Sequence, residues 1–207
     1  MAKKYQIIYA DPPWAYRKSG GIKSARGLAK SHYPTMALKN IKRLNIPSIT
    51  DKNCYLFLWV TAPRIQEGLE VLNAWGFEFF TIVFTWVKLN KKNKTSLFWG
   101  MGNATRANPE YVLLGRRGKL ERKARNIHSV VLSPIMRHSQ KPQEVRNRIE
   151  KLYGDLPRIE LFARSSQKVE NGWVNVGYDV DGCDIKDSLQ KITDGTYLEV
   201  LLEEEVK

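Results

Sequence analysis

The sequence predicts an α/β fold, a mostly parallel sheet with one antiparallel strand and helices on both faces. Three observations predict it. Tyr5 to Ala10 is an apolar run rich in β-branched and aromatic residues, halted by Asp11-Pro12-Pro13-Trp14. That is the pattern of a buried strand whose end is set by proline, which cannot donate to a sheet ladder. Tyr55 to Val60 is continuously apolar, Arg64 to Trp75 repeats apolar residues at helical spacing before Gly76, and Phe79 to Val87 is strand-like again. Strand, helix and strand at this spacing make one βαβ unit. Late in the chain, Arg158 to Ala163 is a strand running into the small-residue turn Arg164-Ser165-Ser166. In open α/β sheets ligands bind outside the carboxyl ends of strands, so these strand ends are where chemistry is to be sought.

Charge narrows the partners. The 207 residues carry 34 Lys and Arg against 21 Asp and Glu, a net +13. The imbalance is regional: residues 1–178 hold 31 basic and 12 acidic side chains, residues 179–207 hold 3 and 9. A cationic body implies a polyanionic partner, most simply nucleic acid, although a role in solubility alone would leave the same charge. Cys54 and Cys183 lie far apart and the three histidines are scattered, so no metal spacing is present. The start MAKKYQ is not a signal peptide and no apolar run is long enough to span a bilayer. The expectation is a soluble, cytoplasmic protein of one domain, without a membrane partner.

The first strand ends in a carboxylate, two stiff backbone carbonyls and an aromatic ring. An exocyclic amine such as that of adenine is a poor nucleophile, because its lone pair is delocalised into the ring. It carries two hydrogens and needs two acceptors, which Asp11 and the Pro12 carbonyl, held by the double proline, would supply. Trp14 or a neighbouring aromatic would stack on the base. The same residue types also make an ordinary strand-ending turn above a core tryptophan.

The following elements are read in order. Ala15 to Lys30 is rich in Gly, Lys and Arg without periodicity, a surface loop. Ala37 to Leu44 is helical in pattern. Lys88 closes the strand that contains Trp86, and Lys91, Lys92 and Lys94 form a second basic loop. Tyr111 to Gly115 is a strand begun by Glu110, whose burial requires a partner; Arg106 is the candidate. From Arg116 to Arg125 there are six basic residues and one acid, the best candidate for a phosphate-gripping edge, with Arg116 and Arg117 at its head. Ile127 to Leu132 reads as a strand. Gln143 to Tyr153 reads as a helix whose start, Lys141-Pro142, is an anion site. Leu198, Val200, Leu201 and Leu202 beside glutamates predict a short terminal strand or helix.

Asp-Pro-Pro-Trp after a hydrophobic strand resembles the catalytic motif of amino-group methyltransferases that use S-adenosylmethionine. From about Ile7 to about Gly182 the chain resembles the family of the catalytic subunit of the eukaryotic mRNA adenosine methyltransferase, which includes prokaryotic and phage-type adenine-N6 DNA methyltransferases. The resemblance implies a Rossmann-like methyltransferase fold with permuted motifs, catalytic strand first and cofactor strand last. It implies a methyltransferase domain over 1–182 and an acidic extension over 183–207. Asp11, Pro12, Pro13 and Trp14 would be catalytic. Tyr33, in a segment similar to Tyr-x-Thr-Met, would line the base side with Trp59, Lys88, Arg106, Asn108 and Glu110. His138-Ser139-Gln140-Lys141-Pro142 resembles His-x-x-Lys-Pro, whose lysine reaches the cofactor carboxylate. Arg164, Ser165 and Ser166 would follow the cofactor strand, and Asp11, Gly177, Tyr178 and Asp179 would complete that site. At Tyr178 and Asp179 the mRNA enzyme carries amide side chains. Its cofactor residues ahead of Asp-Pro-Pro-Trp also have no room here, so part of the adenine pocket is expected to come from elsewhere or stay open. The resemblance implies S-adenosylmethionine-dependent methylation of adenine N6, in DNA rather than RNA. The alternatives are RNA adenosine methylation or a catalytically silent nucleic-acid-binding subunit; a homodimer is compatible with all three.

Overall fold

The computed structural model describes residues 3–15, 35–102, 104–137, 140–165 and 167–198. The expectations for most of the first basic loop, Tyr33, His138, Ser139, Ser166 and residues 199–207 lie outside the described residues.

An eight-stranded sheet organises the chain. The strands are β1 (Tyr5–Ala10), β2 (Thr50–Thr61), β3 (Glu78–Leu89), β4 (Glu110–Arg117), β5 (Val130–Pro134), β6 (Arg158–Leu161), β7 (Val169–Glu170) and β8 (Trp173–Val176). Their spatial order is β5-β3-β4-β2-β1-β6-β8-β7. The first strand is central, parallel to β2 on one side and to β6 on the other, with Tyr9 opposite Phe57 and Glu160. The Asp-Pro-Pro-Trp segment and the late strand end therefore leave adjacent strands at the same edge.

Six strands share one direction, and two rather than the expected one oppose them. One is β4, antiparallel to both β2 and β3. The other is the two-residue β7, which folds onto β8 through the turn Asn171-Gly172, a dipeptide suited to tight hairpins. The expected strand Ile127 to Leu132 is displaced to β5, because Ile127 packs on the core from the preceding loop and pairing with β3 begins at Val130.

Side chains alternate across the sheet, and both faces are covered. Ile8, Leu56, Leu58, Leu113 and Ile159 form one core with Ile41 of α1 (Leu38–Lys42) and with Val71 and Leu72 of α2 (Ile65–Ala74). On the other face, Tyr9, Phe57, Trp59, Phe84 and Trp86 pack with Val145, Ile149 and Leu152 of α3 (Gln143–Tyr153). This second core is aromatic, with edge-to-face pairs of Tyr9 with Trp59 and with Trp173.

After β8 comes a helical turn, α4 (Tyr178–Asp181), and then α5 (Ile185–Asp194), capped by Asp184, whose side chain accepts the Lys186 N–H at 2.9 Å. Ile185, Leu189 and Ile192 enter the first core, and the buried Tyr197 hydroxyl donates to the Asn175 carbonyl at 2.8 Å. The acidic end of the chain is thus part of the folded body as far as residue 198, its apolar stripe turned inward.

Candidate active site

The β1 ladder stops at Ala10, and Asp11 emerges at the carboxyl edge. The segment after it is held from three sides. Trp14 N–H donates to the Pro12 carbonyl at 2.8 Å, Met36 N–H to the Pro13 carbonyl at 2.8 Å, and the Trp14 indole N–H to the Trp59 carbonyl at 3.1 Å. Trp14 is buried in the core beneath, so its ring buttresses the turn and is not a stacking face. The Pro12 carbonyl keeps a second lone pair for another donor.

A chain of alternating charges crosses the strand ends from Asp11. Lys141 Nζ lies 2.8 Å from Asp11 Oδ2 and 3.2 Å from Glu110 Oε2, and Lys88 Nζ lies 2.5 Å from Glu110 Oε1. These four side chains are mostly buried. Glu110 therefore finds its partners in Lys88 and Lys141, not in Arg106 as expected; Arg106 is exposed and lies over the Trp99 ring. Asn108 fixes the neighbouring backbone, accepting from Lys88 N–H at 3.0 Å and donating to the carbonyls of Lys88 at 2.8 Å and Phe98 at 2.7 Å. The buried Trp59 ring packs against this chain, its centroid 5.4 Å from Lys141 Nζ.

Burial sets the protonation preferences. It pushes the Asp11 carboxyl above its ordinary value; Lys141 opposes that shift and Glu110 adds to it. Burial works against the charge of Glu110 too, but Lys141 and Lys88 on either side hold it below its ordinary value. Burial disfavours charge on Lys141, yet Asp11 and Glu110 outweigh it and hold its ammonium well above the usual lysine range.

Beside Asp11 opens a cleft of about 340 Å³, lined among others by Tyr9, Gln140, Lys141, Glu160, Phe162, Arg164 and Ser165. Its far wall was not legible as a site. Glu160 and Tyr9 face α3 because alternation puts them on that side of β6 and β1, and Arg146 of α3 meets Glu160 at 3.1 Å and Glu170 at 3.5 Å. Burial raises Glu160 to about 7, with Arg146 opposing. Glu160 Oε2 is nevertheless out of hydrogen-bond alignment, and Arg146 Nε also lacks a partner among the described residues. Such unspent polar capacity is expensive unless a ligand uses it.

The turn after β6 delivers Arg164 and Ser165 to this cleft. Phe162 takes the left-handed conformation at φ 62°, a cost of about 1 kcal/mol or more for an aromatic residue. Ala163 then bonds back to the Val176 carbonyl at 2.9 Å. Gly177 permits the approach, since a Cβ there would stand 2.4 Å from the Ala163 carbonyl oxygen. Gly177 thus lets the turn that carries Arg164 close without itself lining the cleft, and Tyr178 and Asp179 lie past the end of β8, with Tyr178 largely exposed.

Two expected substrate residues are not brought here. Arg116 and Arg117 stand at the opposite edge of the sheet, Arg116 paired with Glu78 and Arg117 opposite Cys54 near the start of β2. The reason is the antiparallel direction of β4: its first residue, Glu110, is at the edge that carries Asp11, so its last residues cannot be. Among the described residues no group of acids, cysteines and histidines could hold a metal ion, and no helix is long and apolar enough to cross a membrane.

Comparison with known proteins agrees with this geometry. The MT-A70 family profile matches residues 5–179. The type II methyltransferase M.MunI of Mycoplasma sp is 35% identical over 86% of this chain and 78% of its own length. The N(6)-adenosine-methyltransferase catalytic subunit METTL3 of Homo sapiens is 30% identical over 89% of this chain, which spans 30% of that subunit. The MT-A70-like protein of Drosophila melanogaster is 27% identical, with 28% of its length covered. The chain belongs to the MT-A70 family.

Proposed function

We propose that this chain transfers the methyl group of S-adenosylmethionine to the exocyclic N6 amine of adenine in DNA. One observation carries the reading: Asp11 from the first strand and Arg164 from the late strand line a single cleft. Family membership supports methyl transfer, and the 35% identity to a type II methyltransferase spanning 78% of that protein favours DNA. The 30% identity to an N(6)-adenosine-methyltransferase subunit keeps RNA as the second reading.

The residues present fit the cofactor. It carries an anionic and a cationic group on one chain, and the cleft offers both signs: Arg164 and Arg146 beside Asp11, Glu160 and Glu170. Its volume of about 340 Å³ is at the lower end of the range for such sites. Lys141 would reach the cofactor carboxylate while keeping Asp11 and Glu110 in place, and Ser165 would border the sugar. When bound, S-adenosylmethionine supplies an electrophilic methyl group; everything else is positioning and electrostatics.

Asp11 Oδ and the remaining lone pair of the Pro12 carbonyl accept the two amine hydrogens. This draws the lone pair out of the adenine ring and onto nitrogen. Asp11 also holds the proton that the amine sheds, a role helped by the burial that raises its proton affinity. Lys141 keeps that carboxylate aimed, and the Lys88–Glu110 pair keeps Lys141 charged. The adenine must leave its base pair first, because its amine is otherwise engaged.

The test is incubation with labelled S-adenosylmethionine and matched DNA and RNA strands, followed by nucleoside analysis. N6-methyladenine in the DNA arm is expected, and its absence from both arms would end the reading. Asp11→Asn should lose about 10²–10⁴-fold in turnover while keeping its fold; a variant with most of its turnover would remove Asp11 from the mechanism.

A further inference from the structure

The loop between β3 and β4 carries three exposed large apolar side chains: Trp99 at 75%, Met101 at 78% and Leu97 at 53%. A tryptophan so exposed is out of character for this protein, whose other five, Trp14, Trp59, Trp75, Trp86 and Trp173, are all buried. The loop is built rather than loose. Phe98 N–H donates to the Lys88 carbonyl at 2.9 Å, and the Phe98 carbonyl accepts from Asn108 at 2.7 Å. Gly100 fits so closely that a Cβ would stand 2.0 Å from the Ala107 carbonyl oxygen. Lys88 in turn belongs to the charge chain that ends at Asp11, and Asn108 holds its backbone. The ring is therefore held at the rim of the catalytic edge.

Its surroundings are cationic. The Arg106 guanidinium lies 5.8 Å from the Trp99 ring centroid. Between Lys88 and Glu110 the sequence contains Lys91, Lys92, Lys94 and Arg106 and no acid at all. An aromatic face beside an arginine and lysines is the chemistry that binds stacked bases and their phosphates. A protein-binding patch would not require so one-sided a charge.

We propose that Trp99 is a base-stacking residue, resting its indole on the nucleobases beside the target adenine or in the gap that adenine leaves, with Arg106 steadying the ring and facing the phosphates. This rests on the functional reading above for its substrate. Aromatic stacking on a base is worth about 1–3 kcal/mol by alanine substitution, which is a loss of about 5- to 150-fold in affinity. Trp99→Ala should weaken nucleic-acid binding by that range and leave S-adenosylmethionine affinity and thermal midpoint unchanged. Trp99→Phe, which keeps an aromatic face, should recover most of the loss.

Because Trp99 is the one exposed tryptophan among the six, intrinsic fluorescence reads it directly. The full chain is titrated with a mixed-sequence DNA 20-mer and with the RNA of the same sequence, binding being followed in parallel by anisotropy of a labelled strand. Quenching of the solvent-exposed emission, with protection from acrylamide and loss of both signals in Trp99→Phe, is the expected result; the arm that gives it identifies the nucleic acid. Binding by anisotropy without quenching would overturn the proposal. An emission that depends on protein concentration and not on added strand would overturn it in favour of an interface between copies. Absence of binding in both arms would overturn the functional reading, and this proposal with it. Quenching without methyl transfer would keep Trp99 as a nucleic-acid contact and refute the catalytic reading alone.

Discussion

Replacing Lys141 by methionine removes one cation from between two carboxylates and keeps most of the side-chain volume. At an effective dielectric of about 20, contacts of 2.8 and 3.2 Å correspond to gross attractions of roughly 6 and 5 kcal/mol. Desolvating the ammonium and its partners consumes several kcal/mol of that. What the variant loses is set by the carboxylates it strands, and breaking a buried pair costs about 3–5 kcal/mol. Glu110 keeps Lys88 at 2.5 Å, so Asp11 is the group left exposed to its neighbour's repulsion. Lys141 in the wild type binds its proton well above the usual range, so its contribution is complete at neutral pH and is lost only as pH rises through that elevated value. In Lys141→Met both carboxyls move up, and the variant must be least stable where they are forced to ionise. Urea unfolding should show a deficit of about 3–5 kcal/mol at pH 8 that shrinks as the pH is lowered and the carboxyls protonate. Glu110→Gln added to Lys141→Met should return part of the deficit at pH 8, since it removes the repelling charge. A deficit below about 1 kcal/mol, or one that does not change with pH, would refute the account of Lys141 as the charge holding this edge together.

Glu160 offers a second pH test. Its folded value is raised to about 7 from 4.5, so its stabilising effect is present below 4.5 and lost as pH rises to about 7. At about 1.4 kcal/mol per unit this is at most about 3 kcal/mol. Glu160→Gln should flatten the stability profile between pH 5 and pH 7.5, which thermal midpoints in a buffer series would show; an unchanged slope would place the titration elsewhere. Arg116 and Arg117 give a prediction of no effect at the catalytic edge. Arg116→Ala with Arg117→Ala should leave turnover and the KM for a short oligonucleotide within about twofold, because rim charges distant from a site change binding little at moderate salt. A tenfold rise in KM would mean that the substrate reaches both edges of the sheet.

Local signals in the sequence were reliable where the physics is local. Proline ends β1 whatever surrounds it, so Asp11 at a strand tip was readable from Asp-Pro-Pro alone, and the helix Gln143–Tyr153 followed from periodicity. Pairings across the sheet were not. Glu110 was legible as a buried acid in need of a cation, but its nearest basic residue in sequence, Arg106, turns out towards Trp99, and the partners come from β3 and from the start of α3. Glu160 and Arg146 lie fourteen residues apart in the chain and meet only because β6 and α3 face each other across the second core. The misplacement of Arg116 and Arg117 has the same origin. An apolar run such as Tyr111 to Gly115 states that a strand is buried and says nothing of which way it points. Strand direction decides which end of the run meets the active edge, and an antiparallel β4 delivers its leading acid there and carries its trailing arginines away. A basic cluster next to a catalytic strand in sequence is therefore evidence about substrate contact only once that strand's direction is known.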